Sequence, residues 1–381
     1  MEQWVTTWGM APQKNSARKF SWSEGKLWMD YRPLDGRTYR YSYYNNLNGS
    51  AVRVLFSNRE GIREMCLGAA SLCVSGGEML PLTFGGEKTL VLAPGGDRLS
   101  DPVVTPVRAG NALTLSLYLT KVPYSGNNLP GQLFLSRPGD YTLSPQFDPD
   151  PDATLTGARV LTLGFSRIDV LCEEEAGAVV FFGDSIVQMA TWLTWLDGYL
   201  GAAHPGRYSV VNLGIGGNRL LHDPLPQIPW CGDAGVSRFG KDVLTQCGGE
   251  VLVFLIGTND FGHVSADDPE WVTAEQLLAG LETLAAAARR GGYRKVIGTT
   301  VLPTGGHPEY TDPRKEAERE KLNRLMKASP AFDAVLDMDR ALAMRTLPGT
   351  LCAAADSGDH LHPGPLGGRM MAAELIRTLQ L

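Results

Sequence analysis

Ala178-Val179-Val180-Phe181-Phe182-Gly183-Asp184-Ser185 is an unbroken apolar run closed by a glycine, an acid and a serine. A short apolar run ended by a turn residue reads as a strand buried on both faces. The pattern recurs at Ser209 to Leu213, Glu250 to Ile256, Lys295 to Val301 and Ala334 to Asp337. Helical stretches separate these runs. Thr273 to Arg290 is the clearest: Thr273 and Gln276 form a capping box, and Leu277, Leu281, Leu284 and Ala288 line one face. Gly291 follows as a stop. Arg314 to Ala328 carries Leu322, Leu325 and Met326 as an apolar stripe, and Met370 to Leu379 closes the chain as another amphipathic helix. Strands alternating with helices predict an α/β fold with a parallel sheet covered on both faces. Ligands of such sheets bind beyond the carboxyl ends of the strands.

Residues before about 170 have a different rhythm. Leu113 to Thr120 alternates apolar and polar, as a half-buried strand does. Ala51 to Ser57, Leu67 to Val74, Met79 to Phe84, Lys88 to Leu92 and Ala158 to Phe165 are further strand candidates. Gly76-Gly77, Gly85-Gly86 and Pro94-Gly95-Gly96 punctuate them as turns. Many short strands with glycine-rich turns predict an all-β sandwich or jelly roll. No convincing helix is visible there. Pro123 to Thr156, rich in Pro, Gly and Asp, reads as a long loop, either solvated or walling a site, with Phe147 to Asp152 its stiffest piece.

A chain of 381 residues exceeds one ordinary core, so two domains are expected, 1–172 and 173–381. The formal net charge of -6, without a basic run, argues against a nucleic-acid partner. Val251 to Ile256 is too short to cross a bilayer and no apolar run is longer, so no membrane partner is expected. Met1 to Trp8 shows neither a basic nor an apolar leader region. The cysteines at 66, 73, 172, 231, 247 and 352 form no CxxC pair. Both features predict a reduced, cytoplasmic protein.

The residues able to do chemistry follow the buried runs, each after its own strand. Ser185 comes first, where a helix can begin. A serine hydroxyl needs a base to become a nucleophile. Its bland alternative is an N-cap, a common place for serine. Gly-Asp-Ser alone occurs by chance in roughly one chain in ten of this length. Gly217 in Asn212-Leu213-Gly214-Ile215-Gly216-Gly217, and Asn259 in Gly257-Thr258-Asn259-Asp260, follow the next two strands. With the Ser185 N–H they supply three donors for a developing oxyanion. Each also fits a plain turn. In Asp359-His360-Leu361-His362, the spacing lets Asp359 orient His362 as the base. His360 competes, but has no Asp three residues before it. Asp356 could orient either ring or cap a turn. Asp184 reads as bracing the turn, and Arg238 with Asp242 as an i, i+4 surface pair. Asp359, His360 and His362 are also possible metal ligands, but the other histidines show no ligand spacing. Neither a metal nor another cofactor is expected.

These blocks resemble the SGNH hydrolases, or GDSL lipase/esterase family, whose name-giving residues match Ser185, Gly217, Asn259 and His362. Asp359 matches the family's acid. Val52 to Asn58, Ser100 to Val103 and Asp356 to Pro363 resemble a bacterial two-domain subgroup with a β-rich domain ahead of the SGNH domain. The resemblance implies a flavodoxin-like three-layer α/β/α domain and acyl transfer through serine without a metal. After Ile186, the segment Val187 to Trp192 is shorter and more apolar than in many relatives, which touches the shape of the acyl pocket.

The expected function is therefore a serine carboxylic ester hydrolase working through an acyl-enzyme. The expected substrate is a small ester, and the preferred one an O-acetylated oligosaccharide. Broad short-chain esterase, lysophospholipase and acyltransferase activities are the alternatives within this chemistry. A carbohydrate-binding protein whose α/β half only supports the β domain is the alternative outside it. Oligomeric state is not legible.

Overall fold

The alternating run at Leu113 lies within a strand, Ala112–Lys121, with Leu113, Leu115, Leu117 and Leu119 buried. It pairs antiparallel with Arg37–Tyr44 on one side and Met65–Val74 on the other. This computed structural model describes residues 2–14, 34–150, 160–173 and 175–379. The stretch 151–159, with the end of the Phe147 to Asp152 piece and the start of the Ala158 strand candidate, lies outside the described residues. The chain divides into two units, Met1–Glu174 and Glu175–Leu381.

In the first unit, every helix or strand among the described residues is a strand, and the sheets are antiparallel. One sheet runs from Glu2–Gly9 through Phe165–Glu173 to Gly49–Ser57. Besides a small sheet of Val160–Leu163, Ser125–Leu129 and Gln13–Lys14, a second large one runs from Gln132–Pro138 through Arg37–Tyr44, Ala112–Lys121 and Met65–Val74. Aromatic rings join their inner faces: Trp8 lies 4.4 Å from Tyr43 and Tyr41 lies 5.4 Å from Phe165, centroid to centroid. This is the expected sandwich.

Three readings of this half need correction. Pro123 to Thr156 is not all loop, since it contains the strands Ser125–Leu129 and Gln132–Pro138. Asn127 in the first of them is buried, and its side chain donates to the Ala11 carbonyl at 2.8 Å. The Met79 candidate shrinks to Leu80–Pro81. Arg37–Tyr44 escaped notice because Tyr39, Tyr41 and Tyr43 form its buried face, and tyrosine is not a plain core residue.

The second unit is built on a parallel sheet of Tyr208–Gly214, Gly177–Gly183, Gly249–Leu255, Lys295–Thr299 and Ala334–Leu336, in that spatial order. The first strand in sequence thus sits between the second and the third. The chain leaves it in opposite directions, which opens a crevice at its carboxyl end. Gly183 pairs in register with both Gly214 and Leu255, so these strand ends are level.

The helices are α1 (Ser185–Gln188), α2 (Leu193–Ala203), α3 (Gly235–Asp242), α4 (Thr258–Gly262), α5 (Ala274–Arg290), α6 (Pro313–Ala328), α7 (Met338–Leu342) and α8 (Pro365–Leu379). On one sheet face Val179, Phe181, Val253 and Ile297 pack with Leu196 and Leu200 of α2 and Met371 and Leu375 of α8. On the other, Phe182 and Phe254 meet Phe239 of α3 at 5.4 and 6.0 Å. The sheet is covered on both faces, as its apolar strands require.

The capping box of α5 is formed, and its four expected apolar residues are buried. α8 begins at Pro365, earlier than its periodicity suggested. The inner face of α6 is partly polar. Arg319 and Asn323 are buried with Leu322 and Met326, and both donate to the Val301 carbonyl at 2.9 Å. They hold the chain just past the fourth strand.

Candidate active site

Ser185 opens α1 directly after the first strand of the sheet. The cap position is filled by Asp184, whose Oδ1 accepts the Ile186 N–H at 3.0 Å. The serine hydroxyl is therefore not consumed as a cap. It lies 2.8 Å from His362 Nε2. His362 Nδ1 in turn lies 2.6 Å from Asp359 Oδ2, and Asp359 Oδ1 accepts the N–H groups of Leu361 and His362 at 3.0 and 2.8 Å. Partial burial opposes the Asp359 charge. The hydrogen bonds from the His362 ring and from these N–H groups outweigh it and hold the carboxyl well below the usual range. An ionised Asp359 fixes the proton on Nδ1 and leaves the Nε2 lone pair facing Ser185.

His360 has a separate brace. Asp356 Oδ2 lies 2.7 Å from its Nδ1, and Asp356 Oδ1 accepts its N–H at 3.0 Å. The partner that sequence spacing failed to supply three residues back sits four residues back. His360 takes a left-handed backbone, φ 61°. Both nitrogens of His362 are engaged, so a metal there would have to displace Ser185 or Asp359. Among the described residues, no group of three His, Cys, Asp or Glu side chains is placed to hold a metal ion.

Gly217 lies in the turn beyond the second strand with φ 75°, and a Cβ there would fall 2.3 Å from Cys231 Sγ. Only glycine fits both demands. Gly214 is required for a different reason: α1 crosses the strand end so closely that a Cβ would lie 2.2 Å from the Gln188 nitrogen. Asn259 sits in α4, beyond the third strand. One hydrogen of its amide is spent on the Asn218 carbonyl at 3.1 Å, which leaves the other to point elsewhere.

Two polar residues tie these strand ends together: Asn218, which the sequence reading passed over, and Arg238, which it placed on the surface. Asn218 donates to the carbonyls of Cys231 and Asp233 at 2.8 and 2.9 Å, and accepts Arg238 Nε at 2.9 Å. Arg238 is not part of a surface pair. Its side chain is 1% exposed and Asp242 is 2% exposed. It donates to Gly183 O, Leu213 O and Asp242, and its guanidinium lies 4.1 Å above the Phe182 ring. The i, i+4 spacing was read correctly, but spacing carries no sign of burial.

Asp260 accepts the N–H groups of Leu220 and Leu221 at 2.7 and 3.1 Å, tying the Asn259 turn to the Gly217 turn. Burial raises its carboxyl to about 6 against those hydrogen bonds and the Arg219 charge. Burial likewise pushes Asp184 up to about 7, countered by the Ile186 N–H and the nearby His362. Thr258 favours the ionised Asp184, yet neither Asp184 Oδ2 nor Thr258 Oγ1 makes a hydrogen bond of full geometry. Trp192 is wholly buried and donates to the Ile186 carbonyl at 3.1 Å. The apolar segment after Ser185 is anchored in the core.

Residues 181–370 match the GDSL-like lipase/acylhydrolase family. The chain belongs to this family. It is an ester-bond hydrolase, and its second unit is the GDSL domain. Among solved structures it is similar to Axe2, an acetylxylan esterase from Geobacillus stearothermophilus. Identity is 21%, the match covers 55% of this chain and 97% of that one, and the TM-score is 0.42. It is also similar to a GDSL-like lipase from Bacteroides thetaiotaomicron, with 20% identity, 53% and 87% coverage, and a TM-score of 0.39. No match was found among curated proteins. Among the described residues of this GDSL chain, no helix is long and apolar enough to cross a membrane.

Proposed function

We propose that Ser185, His362 and Asp359 form the catalytic triad of this esterase, with short acyl esters of carbohydrates as its substrates. The observation that carries the triad is the unbroken chain from Asp359 Oδ2 through the His362 ring to Ser185 Oγ, at 2.6 and 2.8 Å. Ser185 Oγ attacks the ester carbonyl while His362 Nε2 takes its proton. The tetrahedral oxyanion is held by the N–H groups of Ser185 and Gly217 and by the free amide hydrogen of Asn259. Collapse breaks the bond to the alkoxy oxygen, and His362 returns the proton to the leaving alcohol. Water then attacks the acyl-serine, gives a proton to His362, and releases the acid as Ser185 regains its hydrogen.

The short acyl group is supported by the crowding at Gly217, where Cys231 stands against the turn. The carbohydrate reading rests on the β sandwich, a fold that often contacts sugars, which is analogy at the level of fold. An acceptor alcohol in place of water would make the same site a transferase.

The test is hydrolysis of p-nitrophenyl acetate, butyrate and octanoate by the wild type and by Ser185→Ala. Loss of turnover in a folded Ser185→Ala, with wild-type activity falling beyond acetate, is expected. Retained activity in Ser185→Ala overturns the triad. Activity that rises with chain length overturns the short-acyl substrate. Added xylose or glycerol that diverts the acyl group into a new ester would establish transfer.

A further inference from the structure

We infer that His263 is a specificity residue: its imidazole donates a hydrogen bond to an oxygen on the alcohol part of the substrate, beside the reacting ester. The inference rests on the hydrolase reading above and deepens it.

His263 caps the carboxyl end of α4, with its N–H donating to the Asn259 carbonyl at 3.1 Å. Its ring reaches the Gly217 turn, where an ideal Cβ on Gly217 would lie 3.4 Å from His263 Cε1. The ring therefore runs between the two turns that carry the proposed oxyanion donors. His263 is half-buried, and its Nδ1 is shut from solvent without a hydrogen-bond partner. Nε2, the ring nitrogen not shut away in this manner, is the atom left to meet a substrate.

A neutral imidazole has one N–H and one lone pair. Nδ1 is unpartnered in either tautomer, and the nearby Arg219 and Lys315 cations favour a bare lone pair over an N–H, which places the proton on Nε2. Burial, then the Arg219 and Lys315 cations, push the ring down to about 4, so it is neutral near pH 7. The site thus presents a fixed neutral donor next to Gly217. A core histidine would have both nitrogens satisfied, and this one does not. An acetyl group carries no oxygen besides its carbonyl. The oxygen that meets Nε2–H then belongs to the alcohol, as a hydroxyl or ring oxygen close to the ester does in a sugar or polyol.

The experiment compares 2-hydroxyethyl acetate with propyl acetate, which differ by a hydroxyl in place of a methyl. In the wild type, kcat/KM should favour the hydroxyl ester by about tenfold, the worth of one hydrogen bond. In His263→Phe the ratio should fall to about one, and His263→Gln, which keeps an N–H, should restore part of it. Thermal melts check that both variants fold, and His263→Gln carries the test if His263→Phe does not. A wild-type ratio of one, or a ratio unchanged in the folded variants, overturns the inference. Failure of the wild type on both esters overturns the hydrolase reading and this inference with it, whereas activity on both without preference removes only His263.

Discussion

Arg238 Nη2 donates to the carbonyl of Gly183 at 2.8 Å, two residues before Ser185. The same guanidinium reaches Leu213 O at the end of the next strand and Asn218 Oδ1 beyond it. One buried cation thus sets the spacing between the serine turn and the Gly217 turn, with Asp242 as its counter-charge. A planar fork of five donors can do this, and an ammonium cannot.

Arg238→Met should therefore destabilise the fold by about 3–5 kcal/mol, because it leaves Asp242 buried and unpaired. Arg238→Lys keeps the charge but loses the fork. It should recover part of the melting temperature while kcat stays depressed, since serine and donor turns are no longer locked together. Thermal melts beside steady-state kinetics check this. Equal recovery of melting temperature and kcat in Arg238→Lys would make Arg238 a purely structural residue.

Asp359→Asn should keep the fold, since an amide oxygen can still accept the Leu361 and His362 N–H groups. It cannot hold the Nδ1 proton and stabilise the imidazolium, so kcat should fall by about 10⁴-fold. Asp356→Asn should leave kcat much closer to wild type, because Asp356 braces His360. Steady-state kinetics of the two variants on p-nitrophenyl acetate decide it, and a larger loss in Asp356→Asn would move the base to His360.

Asn259→Ala removes one proposed oxyanion donor and also the bond to the Asn218 carbonyl. The expected loss is about 10²–10³ in kcat with KM little changed, since the donor meets charge that develops only in the transition state. A loss confined to KM would place Asn259 in ground-state binding instead.

The sheet of the second unit was legible because its strands are apolar runs and its helices keep a clear period. Gly183, Gly214 and Leu255 end level, so motifs far apart in sequence meet. What stayed hidden shares one cause. Arg238, Asn218, Arg319 and Asn323 are polar side chains buried with their partners. Polarity reads as surface when the partners are carbonyls such as Gly183 O and Val301 O, which every residue has. The role of Asp356 was left open for another reason, since i, i+3 and i, i+4 spacings both reach a ring. Arg37–Tyr44 shows the converse, a strand whose buried face is made of tyrosines.

Asp184 gives the fold a pH dependence whose sign follows from its burial. Its carboxyl is pushed from 3.8 to about 7 in the folded protein, first by desolvation. Between about pH 4 and 7 the folded protein keeps a proton that the unfolded chain has lost. Stability then declines as pH rises through this window. The contribution is fully present below about pH 4 and gone above about pH 7. Across the window it amounts to at most about 4 kcal/mol. Asp184→Asn removes this titration but keeps an oxygen to cap the Ile186 N–H. Asp260, raised to about 6, titrates in both proteins, so most of its own contribution cancels in the difference between them. The melting temperature of Asp184→Asn minus that of the wild type should rise from pH 4 to 7 and level off above. A difference that stays flat from pH 4 to 8 would mean that Asp184 is ionised throughout, and that the short α1 turn with the nearby His362 offsets its burial.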